Sequence, residues 1–182
     1  MIYFVQRNRP AQKYIFPAGQ AIIVYNKKNK KVEMQKLNLP QFDFRMKTDE
    51  GKNLIFDSIR KKFILLTPEE WVRQNFIQFL VQHKKYPQSL MAVEKQITLN
   101  NKLFRFDLVG YNRNGQPFMI AEFKAPGVKI SQNAFDQVVR YNMTLKVKLV
   151  VVSNGLQHFV CAIDYEKGDY TFLKEIPEYL NV

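Results

Sequence analysis

The segment from residue 91 to residue 153 constrains the fold more than any other part of the sequence. Three strand-like runs follow one another there, MAVEKQITL, LFRFDLVGY and PFMIAEFKA, separated by an Asn-Asn pair at residues 100–101 and by the NRNG turn at residues 112–115. Because an Asn-Gly pair suits a tight hairpin, these runs predict an antiparallel meander. The later run VKLVVVS is rich in β-branched apolar residues, which is typical of a strand buried on both faces.

A helix is predicted immediately before the meander. Thr67 is suited to the N-cap, Pro68 to the first helical position, and Glu70 to the third position of a capping box. The helix is expected to end near Lys85, before a proline. Its core-facing positions recur at helical spacing and are Val72, Phe76, Phe79 and Leu80.

A second helix is predicted from Ser131 to about Thr144. A helix that returns the chain to the sheet makes the pairing of the VKLVVVS strand parallel, and the runs QHFVCAID and DYTFLKE then form a further hairpin. The predicted fold class is therefore α/β, in the order helix, three-stranded antiparallel meander, helix, parallel strand and hairpin.

Residues 1–66 have a different character from the rest. Short β-prone pieces at residues 21–25, 32–37, 54–56 and 63–66 are interrupted by the lysine-rich NKKNKK run, by Pro40 and by Gly51. The sequence thus predicts a small β-rich lead-in over residues 1–66 and a main domain over residues 67–182. The lysine-rich run could contact phosphate or form a solvated hairpin tip.

The overall charge narrows the class of partner. Lysine and arginine total 28 against 16 acidic residues, giving a net charge of +12 and a pI of about 9.7, which favours an anionic partner such as nucleic acid. A single cysteine argues against a disulfide framework and for the reducing cytoplasm, and the two histidines lack cysteine companions at zinc-ligand spacing. Neither a signal peptide, a membrane span nor a GxxxxGK[ST] phosphate loop is recognisable.

Charged residues interrupt two of the apolar strands. Along the third strand, alternation directs one set of side chains to one face: Phe118, Ile120, Glu122 and Lys124. Asp107 lies in the preceding strand, and the hairpin can bring it near Glu122. Two carboxylates provide the hard oxygen ligands that Mg²⁺ or Mn²⁺ prefers, and an ammonium group beside them can orient water, which is the chemistry of phosphodiester hydrolysis. The alternative is that Glu122 and Lys124 form a surface salt pair.

The second predicted helix adds Gln137 and Tyr141, which stand four residues apart and share a helical face. Directed at the sheet, this face would lie near the acidic residues. An exposed glutamine and a core tyrosine are the alternative reading.

Together these motifs resemble the PD-(D/E)xK nuclease superfamily and, within it, the N-terminal nuclease domain of type I restriction enzyme R subunits. The likeness is to stand-alone members without a helicase, and it covers roughly residues 37–179. The matching motifs are RFD with Asp107, AEFKAP with Glu122 and Lys124, the RecB-like Q-x-x-x-Y motif with Gln137 and Tyr141, TPEEWVRQ with Glu69 or Glu70, and the Asn154-Gly155 pair.

The resemblance implies a restriction-endonuclease-like core and a role for each motif residue. Asp107 and Glu122 would bind Mg²⁺ or Mn²⁺ with the carbonyl of Phe123, and Lys124 would position the hydrolytic water. Gln137 and Tyr141 would support Lys124 or contact the nucleic-acid backbone. Glu70 would reach the metal site or serve the helix cap alone, whereas Glu94 is a weaker acidic candidate, expected at the surface.

Three functional readings remain open. The first is a magnesium-dependent deoxyribonuclease, most simply an endonuclease. The second is a DNA-binding or interaction module that retains the nuclease fold and works with a motor or specificity subunit or as a homodimer. The third is a basic folded protein whose Glu122–Lys124 pair is structural.

Overall fold

The computed structural model describes residues 21–25, 31–99, 102–131, 138–139, 142 and 146–179. Within these ranges no helix has the length and hydropathy of a membrane span. Before the long helix the strands are β1 Ala21–Tyr25, β2 Lys31–Gln35, β3 Met46–Asp49, β4 Lys52–Asp57 and β5 Lys62–Leu65. Next come α1 Pro68–Gln82, a 3₁₀ turn at Gln88–Leu90, β6 Met91–Leu99, β7 Lys102–Tyr111, β8 Pro117–Phe123, β9 Leu149–Ser153, β10 His158–Asp164 and β11 Asp169–Leu173.

Six strands form the central sheet in the order β11-β10-β9-β8-β7-β6. The β6-β7-β8 meander is antiparallel, β9 joins β8 in parallel, and β10 and β11 add an antiparallel hairpin. The predicted α/β order is thereby confirmed. Within the predicted second helix, Val138, Val139 and Asn142 are helical, whereas Gln137 and Tyr141 lie outside the described residues.

Two groups of buried side chains lie on opposite faces of this sheet. The α1 core joins helix residues to one sheet face and to the N-terminal segment, and it includes Leu37, Met46, Ile55, Trp71, Val72, Phe76, Leu80, Leu108, Met119, Ala121, Phe123 and Val151. The far core includes Phe106, Val109, Ile120, Ile130, Val138, Val139, Val150, Val152 and Cys161. Fully burying a side chain such as Phe76 or Ile55 contributes about 1.5–3 kcal/mol, so residues of the β3-β4-β5 sheet help to stabilise α1.

The N-terminus of α1 forms half of the predicted capping box. Thr67 Oγ1 accepts the Glu70 N–H at 3.1 Å, and Pro68 begins the helix. The reciprocal bond is absent, because the Glu70 carboxylate binds Arg73 at 2.8 Å and the Thr67 N–H donates to the Leu65 carbonyl at 3.1 Å. The cap is therefore predictable from sequence, but Glu70 has a different partner.

The C-terminus of α1 lies slightly before the expected residue. The helix ends at Gln82 rather than near Lys85. Lys85 has a left-handed φ of 60°, and the Tyr86 N–H returns to the Leu80 carbonyl at 3.0 Å. A left-handed residue with such a bond closes a helix, which explains the earlier end.

The alternation expected along β8 holds for Ile120 but is wrong for Phe118. The ladder between β7 and β8 shifts register between Gly110 and Tyr111. Phe118 consequently packs in the α1 core, with its ring 5.8 Å from that of Tyr86, whereas Ile120 lies in the far core. A bulge of this kind adds a residue to one strand and changes which face its neighbours occupy.

His158 links the start of β10 to the N-terminal segment. Its Nδ1 lies 2.8 Å from Ser153 Oγ, and its Nε2 lies 3.0 Å from the Asn38 carbonyl. A neutral imidazole satisfies both contacts if Nε2–H donates to Asn38 and Nδ1 accepts from Ser153. Burial lowers the pKa of His158, although the hydrogen bond to Asn38 opposes the shift.

We expect His158 to make the folded protein sensitive to mild acid. Below about pH 6.5 the unfolded chain protonates this histidine while the folded chain does not, so stability is lost as the pH falls towards the folded-state pKa. The free energy of unfolding, measured by urea denaturation at about pH 8 and about pH 5.5, should fall more for the wild type than for His158→Gln. Equal losses in the two proteins would contradict the prediction.

Candidate active site

Asp107 and Glu122 meet on neighbouring strands. The β7-β8 ladder pairs Leu108 with Ala121, and the next position of this register sets Asp107 opposite Glu122. The Phe123 N–H donates to Asp107 Oδ2 at 2.7 Å. Side chains directly opposite in an antiparallel pair are close neighbours, with Cβ atoms about 4.5–5.5 Å apart. The hairpin thus brings these two carboxylates together.

Lys124 completes the group at the end of β8. Its Nζ donates to Glu122 Oε1 at 2.9 Å, and the two side chains are 36% and 27% exposed. Its backbone N–H donates to the Ser153 carbonyl at 2.9 Å, which continues the parallel pairing beyond the strand. The ammonium group therefore lies beside Glu122 and within reach of solvent.

The first turn of α1 adds a third carboxylate, Glu69. Burial and the charge of Asp107 raise the pKa of Glu69, while Arg73 and Lys124 act in the opposite direction. Burial and Asp107 likewise raise the pKa of Glu122, with a smaller contribution from Glu69 and with Lys124 opposing. Negative charge is therefore only partly compensated between Glu69, Asp107 and Glu122.

Lys124 responds to the same charges. Burial acts to lower the pKa of its ammonium group, but the hydrogen bond and charge of Glu122, together with Asp107 and Glu69, outweigh burial and raise it. Lys124 is consequently a cation at neutral pH, able to donate hydrogen bonds.

In β6 and β7 the apolar side chains change from one face of the sheet to the other beside Asp107. Upstream, Val93 pairs with Leu108 and both contribute to the α1 core; two residues further along β6, Lys95 pairs with Phe106, which belongs to the far core. Between these pairs lies Glu94, with a left-handed φ of 51°. Such a backbone is uncommon for a residue other than glycine. The interruption allows Asp107 to bond with Arg73 of α1 although its strand neighbour Leu108 also faces the α1 core.

Glu94, expected at the surface, is instead partly buried and held by arginines. Its side chain is 34% exposed and lies 3.0 Å from Arg60, 3.3 Å from Arg73 and 2.9 Å from Arg105. Burial acts to raise the pKa of Glu94, but the three guanidinium groups outweigh it and lower it. These contacts hold the left-handed segment against α1.

Beneath the site lies a group that sequence reasoning missed, which we call the arginine cluster: Asp57, Arg60, Glu70, Arg73, Gln74 and Glu94. Its members come from β4 and the following turn, from α1 and from β6, and they are joined by ion pairs and hydrogen bonds. Glu70 belongs to this cluster, whereas Glu69 interacts electrostatically with Asp107, Glu122 and Lys124. Glu70 and Arg73 are three residues apart in a helix, the one sequence signal that could have indicated the pair.

The chemistry of these donors fits a hard divalent cation. The site, the arginine cluster and the adjoining Arg105 together hold six carboxylates against four cationic side chains, a formal excess of two negative charges in a chain of net charge +12. The carboxylates are Asp57, Glu69, Glu70, Glu94, Asp107 and Glu122, and the cations are Arg60, Arg73, Arg105 and Lys124. Among the described residues, however, no three His, Cys, Asp or Glu side chains converge closely enough to hold an ion as they stand. Instead, Arg73 donates a hydrogen bond to Asp107 Oδ1, and Lys124 donates one to Glu122 Oε1.

The remaining motif residues have structural contacts. Asn154 Nδ2 donates to the Val128 carbonyl at 2.9 Å, and Asn154 Oδ1 accepts from the N–H groups of Leu156 and Gln157, which closes the turn between β9 and β10. The Gly155 carbonyl accepts the Asn38 N–H at 2.7 Å. This pair therefore shapes the turn beyond β9.

Comparison with known proteins identifies the family. The model of the type I restriction enzyme R protein N terminus matches residues 68–177, more than half of the chain. No curated protein matches. A fragment assigned to an HsdR subunit of a type I restriction enzyme from Vibrio vulnificus is 17% identical with a TM-score of 0.44, over 63% of this chain and 24% of that one. A protein of Anabaena variabilis assigned as a DUF820 nuclease is 12% identical with a TM-score of 0.44, over 79% of this chain and 87% of that one. The family resemblance predicted from the motifs is confirmed: the chain belongs to the family of type I restriction enzyme R protein N termini.

Proposed function

We propose that this chain is a metal-dependent nuclease that hydrolyses phosphodiester bonds of DNA. The observation that carries the proposal is the meeting of Asp107, Glu122 and Lys124 at the end of β8, where negative charge is only partly compensated. Membership in a family of restriction enzyme R protein N termini supports a nuclease. The net charge of +12 supports a polyanionic substrate, to which a basic surface is attracted.

Asp107 and Glu122 would hold the metal ion, with the carbonyl of Phe123 as the third ligand implied by the family resemblance. Mg²⁺ or Mn²⁺ suits these oxygen donors and, when bound, would supply a Lewis acid that polarises the phosphate and lowers the pKa of water. Glu69 is a candidate for a further carboxylate on the α1 side, because it interacts electrostatically with both Asp107 and Glu122.

Lys124 would orient the attacking water and stabilise negative charge on the phosphate oxygens. Its raised pKa keeps the amine protonated, so it acts as a donor and a positive charge rather than as the base that takes the proton. Glu122, already bonded to Lys124 at 2.9 Å, fixes where that charge is placed. Gln137 and Tyr141 remain candidates to support Lys124 or contact the DNA backbone.

The test is cleavage by the purified chain. Supercoiled plasmid and linear duplex are incubated with Mg²⁺ or Mn²⁺, with and without excess chelator. We expect metal-dependent cleavage that the chelator abolishes, and nicking of the closed circle would identify an endonuclease. Cleavage that persists with chelator, or its absence in every metal, would contradict the proposal.

A non-catalytic module that works with a motor or specificity subunit, or as a homodimer, is the other candidate, favoured by the basic charge. It predicts DNA binding without cleavage and a steep loss of affinity with salt, because phosphate contacts release counterions. Affinity measured against salt concentration, with cleavage assayed on the same preparations, separates the two functions.

A further inference from the structure

Arg73 is the residue through which the arginine cluster touches the candidate site. Its side chain is 4% exposed, and Nη2 donates to Asp107 Oδ1 at 2.8 Å. Nη1 donates to Glu70 at 2.8 Å and to Glu94 at 3.3 Å. A single buried guanidinium thus connects α1 and β6 to the carboxylate on β7.

The orientation of Arg73 is set by the turn after β4. Arg60, on that turn, lies 3.2 Å from Glu70 and 3.0 Å from Glu94, so the two carboxylates that bind Arg73 are themselves held. Asp57 accepts from Arg60 at 2.6 Å and from Gln74 at 3.0 Å. Because a guanidinium is a planar fork, fixing the partners of one nitrogen also directs the other. Nη2 is thereby directed towards Asp107.

Both oxygens of Asp107 have a donor, and the two donors belong to different elements. Oδ1 accepts from Arg73 of α1, and Oδ2 accepts from the Phe123 N–H of β8 at 2.7 Å. Two bonds on opposite oxygens define the plane of the carboxylate, whereas the terminal torsion of an aspartate is otherwise broad. Loss of either bond would allow that plane to rotate.

We infer that Arg73 is a positioning residue, which fixes the Asp107 carboxylate opposite Glu122, and that the turn bearing Asp57 and Arg60 supports it. The consequence for metal binding rests on the proposed nuclease function; the positioning does not. The supporting turn lies before residue 68, where the family match begins, so residues outside the matched segment contribute to the site.

The first experiment requires no metal. Amide hydrogen exchange of Phe123, followed by NMR, reports its bond to Asp107, and the Lys124 amide, bonded to the Ser153 carbonyl, is the internal control. In Arg73→Gln we expect Phe123 to exchange at least about tenfold faster while Lys124 changes little, because a hydrogen bond to a well-positioned charged acceptor is lost. Arg73→Lys, which keeps the charge but loses the fork, should recover only part of the protection.

Arg105→Gln is the matched control. Arg105 lies 2.9 Å from Glu94 but is 59% exposed, so this variant removes the same charge and a partner of the same glutamate without touching Asp107. Both amides should exchange as in the wild type. Should Arg73→Gln fail to fold, Arg60→Gln is compared with Arg105→Gln, and faster exchange at Phe123 is expected with Arg60→Gln alone. Unchanged protection of Phe123 in the folded Arg73 or Arg60 variant overturns the inference.

The second experiment measures Mn²⁺ binding to the DNA-free protein by calorimetry. Positioning predicts that Arg73→Gln binds Mn²⁺ about tenfold more weakly, in the range seen when a residue that orients a metal ligand is lost. Tighter binding would mean that Arg73 merely opposes the metal charge, which overturns the role in metal binding. A wild type that binds no Mn²⁺ contradicts the proposed nuclease site, whereas the Phe123 exchange still tests the positioning.

Discussion

Replacing Lys124 with alanine is expected to slow DNA cleavage by about a thousandfold, the range for loss of a group that positions water and stabilises developing charge. The Lys124 ammonium is held at the site by its 2.9 Å bond to Glu122, and nearby carboxylates keep it protonated. Affinity for Mn²⁺ should stay the same or increase, because the variant frees a Glu122 oxygen. Single-turnover cleavage at saturating Mn²⁺ measures the first effect and calorimetry the second.

Lys167→Ala is the control for the loss of one positive charge. Lys167 is 80% exposed and paired with Asp164 at the turn between β10 and β11. Its replacement should change cleavage by less than about threefold, as for an exposed ion pair of little energetic weight. If Lys124→Ala cleaves DNA as fast as Lys167→Ala, Lys124 has no catalytic role.

Replacing Gly155 with alanine should destabilise the fold by about 2–5 kcal/mol, from a left-handed backbone combined with overpacking. Gly155 has a φ of 80°, and an added Cβ would lie 2.7 Å from Leu37 Cδ2 and 3.1 Å from Val72 Cγ2. Both neighbours belong to the α1 core, so the methyl group has little room. Urea denaturation should show a lower midpoint at an unchanged slope.

Gly127→Ala is the matched control for this substitution. No atom lies within 4 Å of the Cβ that alanine would add, and its φ lies outside the left-handed range. Its free energy of unfolding should differ from that of the wild type by less than about 1 kcal/mol, since reduced freedom of the unfolded chain is the main effect. A Gly155→Ala protein as stable as Gly127→Ala would show that the turn adjusts without cost.

The sequence predicted the central sheet well because its signals are local. Turn residues separate β6, β7 and β8, and the β-branched run that forms β9 marks a strand covered on both faces. The N-cap at Thr67 was also predictable. The bulge beside Gly110 was not, because a register shift depends on how two strands pair and leaves no pattern in either strand alone.

At the candidate site, too, the sequence shows local signals but not the contacts that depend on tertiary packing. Asp107, Glu122 and Lys124 interrupt apolar strands, and that interruption is visible in the sequence. The partners of Arg73 come from β6, β7 and its own helix, and Arg60 comes from a turn more than ten residues earlier, so their meeting depends on tertiary packing. Several polar side chains of α1 are buried, and a helix pattern alone does not distinguish them from a solvated face: Glu70, Arg73, Gln74 and Asn75.

The left-handed residue in β6 bears on how related sequences should be read against this one. β6 and β7 exchange faces at Glu94 and Asp107, but the apolar residues of both strands keep their two-residue spacing through that point. The sequence alternation therefore does not reveal the change, and alternation alone would assign the residues on both sides of the aspartate to one face. Alignments of this family should be anchored on the aspartate and on the E-x-K motif, and the face of each strand should be assigned separately on the two sides of the aspartate.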